Sequence, residues 1–237
     1  MFSGAESSLV TLLKHLDRKW VRPVLCFLYP QPHHDLYAEA NAEVRYLRKG
    51  PAGWMGSSYW RLLPRGSDFL RRIVLGRLLA AMAQREGAAI VHVNLLWPKP
   101  FWFLSWPKML GLPTVGHARS YYGRKPLPPR TIQKVCDALI CVSRLVYEDA
   151  AQICQHPRRY PIYDPIDVDR YEKGNAQRAR QTLALDPNCR VVSSVGLLSP
   201  HKGHDVAITA FTQVSRSVED VVLYVAGGGN PAERQRL

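Results

Sequence analysis

Apolar positions along the chain change period in a regular alternation. Leu9, Leu12, Leu13 and Leu16 recur at three- and four-residue steps, the mark of a helix with one apolar face. Residues 21–29 then read as a strand, 38–43 as a helix and 44–47 as a short strand. Residues 50–66, rich in Gly, Pro and Ser, predict a loop. Ser67 caps a helix running to Arg85, with Leu70, Val74, Leu78, Ala81 and Met82 inward. Residues 89–93 and 114–117 are short buried-type runs, the second opened by the break at Gly111-Leu112-Pro113. Residues 131–136 are helical and 138–143 form a strand. Ser143 caps the next helix, marked by Tyr147, Ala150 and Ile153. Residues 169–188 are polar and helical, a connector.

The stretch 189–229 repeats the alternation in its clearest form. Val191-Val192-Ser193-Ser194-Val195 is a strand, Gly196 breaks it, and Ser199-Pro200-His201-Lys202-Gly203-His204 is a polar turn. Val206, Ile208, Ala210, Phe211 and Val214 then recur at mainly helical spacing. A second β-branched run, Val221 to Val225, ends on Gly227-Gly228-Gly229. Strand, turn, helix, strand is a βαβ unit, and such units build parallel sheets. The predicted fold class is therefore α/β. Ligands of open parallel sheets sit at the carboxyl ends of the strands, where both glycine turns fall. Lys202 beside a helix start makes the first turn a site for a phosphate-like anion.

Composition narrows the partners. The 237 residues carry 46% apolar and 22% charged side chains, as a folded domain does. Lys and Arg outnumber Asp and Glu by 32 to 19, a net charge of +13 that favours anionic partners: phosphorylated substrates, acidic lipid surfaces or nucleic acid. Nucleic acid finds no support, since no recognition helix, zinc finger or RNA-binding signature is present. Arg45, Arg48, Lys49, Arg61, Arg65, Arg71, Arg72, Arg77 and Arg85 concentrate the charge, so the helix ending at Arg85 is either a solvated basic face or a contact for an anionic membrane. The five cysteines are scattered without a Cys-x-x-Cys pair, which indicates neither a disulfide framework nor a zinc site. No basic-then-apolar start and no long apolar run occurs. The expectation is a cytoplasmic protein, peripheral on the inner face of the membrane.

V-G-x-L-x-x-x-K-G-H-D (residues 195–205) followed by V-A-G-G-G (225–229) resembles the second domain of family 4 glycosyltransferases, retaining enzymes of the two-domain GT-B architecture. Shorter matches run in order along the chain. Ser3-Gly4-Ala5-Glu6 resembles the family's first glycine loop G-G-A-E, G-L-P-T-V-G-H (111–117) its G-x-P-x-V-x-x-x-H, and C-D-A-L-I-C-V-S (136–143) its A-D-x-V-I-x-V-S. Tyr160 to Asp167 resembles its V-I-x-N-G-I-D crossing, with Asp164-Pro165 in place of Asn-Gly. Leu197 stands where the family has arginine, and Glu219 and Glu233 do not supply its E-x7-E pair. The resemblance implies a Rossmann-like acceptor-side domain over 1–168 with its first strand absent, a linker over 169–188, and part of a nucleotide-sugar-binding domain over 189–237.

It also implies the chemistry. A sugar passes from a nucleotide diphosphate sugar to a glycan or lipid-linked acceptor with retention, without metal or cofactor. The donor is held by Gly196, Lys202, Gly203, Gly227 and Gly228, and Lys202 neutralises the departing diphosphate. His117 orients acceptor or sugar, and Gly4 and Arg119 lie on the acceptor or phosphate side. The aromatic cluster Trp97, Phe101, Trp102, Phe103 and Trp106 is either core or an acceptor-stacking surface. Ser143 lacks a nucleophile elbow and reads as a helix cap. The alternative to an enzyme is a non-catalytic remnant. Residues 1–237 alone are expected to be poorly soluble and to transfer no sugar, because half a sheet leaves edges and apolar faces open.

Overall fold

A computed structural model describes residues 4–27, 34–47, 67–94, 104–120, 131–172, 174–229 and 231–237. They divide into two compact units, 1–167 and 168–237. The expected loop at 50–66, Ser3, Trp97, Phe101, Trp102, Phe103 and the stretch 121–130 lie outside the described residues.

In the first unit, α1 (Gly4–His15), β1 (Val24–Phe27), α2 (His34–Glu39) and β2 (Glu43–Tyr46) form one small layer. β1 and β2 pair in parallel, Val24 opposite Glu43. Leu13, Tyr37 and Ala40 close its core beneath α1. The helix α3 (Ser67–Arg85) then leads to β3 (Val91–Val93), α4 (Ser105–Met109), β4 (Thr114–Ala118), α5 (Thr131–Val135), β5 (Ala138–Cys141), α6 (Arg144–Ile153) and β6 (Arg159–Pro161). The four strands form one sheet in the order β3-β4-β5-β6, parallel throughout. Leu104, Ala118, Ile132, Leu139, Cys141 and Ala150 fill its core. Parallel pairing at every step gives the α/β class the alternating periods predicted, and it sends every strand's carboxyl end to one edge of its sheet.

The second unit holds α7 (Val168–Glu172), α8 (Ala176–Thr182), β7 (Arg190–Val195), α9 (His204–Val214), β8 (Val221–Ala226) and α10 (Pro231–Arg236). β7 and β8 pair in parallel over six residues, from Arg190 opposite Val221 to Val195 opposite Ala226. Residues 169–188, expected as a connector, form α7 and α8 and belong to this unit.

Two local expectations are corrected. The helix placed at 38–43 ends at Glu39. Asn41 takes a left-handed φ of 51°, while its amide reaches the Ala38 carbonyl and that of Ala42 reaches Tyr37, a Schellman cap that turns the chain into β2. The inward face of α3 is also rotated. Leu75, Ala80 and Ala83 are buried, whereas Val74, Leu78 and Ala81 are exposed. The cause is Gly76: a Cβ there would lie 2.5 Å from Trp106 Cδ1, so the indole sits directly on the helix backbone and sets which face turns in. The Arg77 guanidinium covers the same ring at 5.1 Å.

Candidate functional site

In the first unit the chemistry-bearing residues collect at the carboxyl ends of β3 and β4. His117, four residues into β4, is buried, and neither ring nitrogen has a hydrogen-bond partner among the described residues. The ring of His92, from β3, stacks on it with centroids 5.4 Å apart. Burial first, then the positive field of Arg119 and the neighbouring His92, brings His117 down to about 3. The ring is thus neutral at physiological pH and offers one N–H donor and one acceptor, the complement of a hydroxyl group. It does not hold a proton to give near neutrality.

Arg119 follows two residues later and is fully engaged. Its Nη1 donates to both carboxylate oxygens of Asp164, at 2.7 and 2.8 Å. Nε donates to the Asn94 carbonyl and Nη2 to Asn94 Oδ1, both at 2.8 Å. Ser8 Oγ donates to Asp164 Oδ1 at 2.6 Å, and Asn94 Nδ2 to the Ala5 carbonyl. This network ties the first turns of α1 to the ends of β3 and β4 and to the segment after β6. Gly4, the first residue of α1, stands in open space: a Cβ there would meet nothing within 4 Å. Arg119 therefore carries a buried charge already neutralised by Asp164 and works here as the anchor of the strand-end edge. Nothing in the sequence pairs Asp164 with Arg119 across 45 residues; the only signal was the unusual Asp-Pro in the 160–167 crossing.

In the second unit both glycine turns lie at the carboxyl ends of β7 and β8. The ladder continues into them: the Gly196 amide donates to Ala226 O at 2.9 Å and the Leu198 amide to Gly228 O at 2.8 Å. The contact is so close that a Cβ on Gly227 would fall 1.7 Å from the Gly196 carbonyl oxygen. Gly227 is thus required by the neighbouring turn itself. Pro200–Lys202 forms a 3-10 turn, and Gly203, at φ 67°, reverses the chain into α9. His204, the first residue of α9, is buried and bridges Ser194 Oγ (2.8 Å from Nδ1) and Leu197 O (3.2 Å from Nε2). The Leu197 carbonyl only accepts, so Nε2 carries a proton and donates to it, while Nδ1 shares a hydrogen bond with the Ser194 hydroxyl. His204 thereby fixes the turn against β7, a role the sequence did not reveal.

Lys202 is exposed at the head of this turn and has no carboxylate within ion-pair distance among the described residues. Asp205, the second residue of α9, meets Arg236 of α10 at 3.6 Å, which offsets its charge near the helix start. The result is a helix amino terminus, a free lysine and two interlocked glycine turns on one strand-end edge, an arrangement that favours an anion.

In open parallel α/β sheets ligands bind at the carboxyl ends of the strands, where these polar residues gather. The Glycosyltransferase Family 4 model matches residues 2–170, and the chain belongs to that family. It is similar to the D-inositol 3-phosphate glycosyltransferase of Mycobacterium sp. (strain KMS), 30% identical over 125 residues that cover 49% of this chain and 28% of the relative. The enzyme of that name from Mycolicibacterium vanbaalenii is 32% identical over 125 residues, covering 49% of this chain and 27% of the relative. That of Segniliparus rotundus is 35% identical over 72 residues, 30% of this chain and 16% of the relative. The matched stretch is thus under a third of each relative's length.

Proposed function

We propose that the protein transfers a sugar from a nucleotide diphosphate sugar to an acceptor with retention of configuration. The observation that carries this reading is the free Lys202 on the glycine turn locked between β7 and β8. In this reading the donor diphosphate lies against Gly196, Gly203, Gly227 and Gly228, and Lys202 takes up the charge that grows as the sugar departs. His117 receives a hydroxyl of acceptor or sugar, and Gly4 leaves room for a phosphate or sugar against the first turn of α1. The acceptor is a glycan or a lipid-linked sugar, and the relatives' name adds a phosphorylated inositol to those worth testing. An anionic membrane surface attracts the basic chain.

Ligand-observed NMR on the chain with nucleoside diphosphate sugars is the first test, with transfer from nucleotide and sugar protons expected. The second is acceptor-dependent release of nucleoside diphosphate. The anomeric coupling of the glycosylated acceptor, compared with that of the donor, reads retention. Absence of both binding and release with every donor would sink the proposal. Binding without release favours the reading as a non-catalytic binder, for which Leu197 in the arginine position already speaks.

A further inference from the structure

All strands of the first unit begin at the edge opposite His117 and Arg119, and the residues that precede them are unusually apolar for exposed positions. Trp20, before β1, is 87% exposed; Ile90, before β3, is 58% exposed; Met109, before β4, is 73% exposed. Val21 and Leu110 stand exposed beside them. The two sheets share this edge, because Arg22, ahead of β1, donates to the Glu86 carbonyl after α3 and pairs with Glu43 at the start of β2.

Cations stand near Trp20 in the chain. Lys14 and Lys19 flank the turn that carries Trp20, without carboxylate partners among the described residues. Arg18 is fixed there by bonds of 2.6 Å to the Leu13 and Ala40 carbonyls, which hold its charge but do not neutralise it. Arg45, part of the arginine-rich stretch, is by contrast matched by Glu43 and Glu86.

We infer that this strand-start edge docks on an anionic lipid bilayer, with Trp20, Ile90 and Met109 entering the interface and Lys14, Arg18 and Lys19 meeting the headgroups. The inference rests on the proposed attraction to an anionic membrane and names the surface that makes it. Single apolar side chains at separate turns, with Trp20 preceded by Arg18 and Lys19, suit the lipid interface, where tryptophan and snorkelling lysine are favoured. A protein partner is instead met by a contiguous apolar patch with a polar rim. The net charge of +13 steers the whole chain to the same kind of surface.

The test is co-sedimentation of the chain with phosphatidylcholine vesicles containing phosphatidylglycerol, at low and high salt. The variants are Trp20→Ala with Met109→Ser, and Lys19→Glu. All three side chains are exposed, and circular dichroism checks that the fold is kept. The double variant should partition about tenfold more weakly and lose the salt-resistant fraction of binding. Lys19→Glu should weaken binding at low salt only. Wild-type binding that neither variant changes overturns this surface and leaves the general attraction standing. No binding to anionic vesicles by the wild-type chain overturns both. Self-association in the ultracentrifuge that disappears with Trp20→Ala, without vesicle binding, assigns the edge to a protein contact and overturns the lipid reading.

Discussion

A neutral imidazole at His117 leaves a signature in stability. Its ordinary value is 6.5 and the folded chain lowers it to about 3. Between those values the unfolded chain binds a proton that the folded one does not, so stability falls as pH drops through this window. The slope reaches at most about 1.4 kcal/mol per pH unit. Urea unfolding of the wild type and of His117→Gln at pH 7 and pH 5 checks it: the wild type should lose more stability on acidification than the variant. Arg119, with 6% side-chain exposure against 39% for Asp164, gives a second residue-scale prediction. Asp164→Asn should cost about 1–3 kcal/mol in the same assay, less than a wholly buried pair because water reaches the carboxylate. Motifs at short spacing placed His117, Arg119 and Lys202 at strand ends. The partners that decide what those residues can do, Asp164, Asn94 and the Ser194–His204 bridge, come from distant positions and follow no period.

At the scale of elements, the alternation of strand and helix periods was legible where a strand is short and mostly apolar, as in β3 and β8, and where a glycine follows a helix. Gly87, for instance, stops α3 with its amide on Gln84 O and that of Ala88 on Ala83 O. The face α3 buries was not legible, since it is chosen by Trp106 lying on Gly76. Gly76→Ala should therefore lower stability by about 1–3 kcal/mol despite alanine's better helix propensity, because the indole must leave its seat. Thermal unfolding that rises instead would show that the ring yields freely. Gly227 likewise looked like a ligand-contacting glycine and is required first by the Gly196 carbonyl. Gly227→Ala should separate the two turns, seen as loss of protection of the Leu198 amide, bonded to Gly228 O, in hydrogen exchange.

At the scale of the whole molecule, two parallel α/β units each present a polar strand-end edge, one built around the neutral His117 and one around Lys202, which has no carboxylate partner among the described residues. In the proposed function the division of labour follows from charge. Hydroxyl groups of acceptor or sugar suit the first edge, and a diphosphate suits the second. Net charge adds attraction for every anion, so tight binding of a nucleotide by itself does not test the site. The discriminating quantity is how one side chain weights two ligands that differ in charge at the diphosphate. Calorimetric titration of the wild type and Lys202→Ala with a free nucleoside diphosphate and with the matching nucleotide sugar measures it. The loss of Lys202 should weaken the free diphosphate about tenfold and the nucleotide sugar distinctly less, since the extra charge appears only when the sugar has gone. Unchanged affinity for the free diphosphate in Lys202→Ala would contradict the assignment of this turn as the donor site.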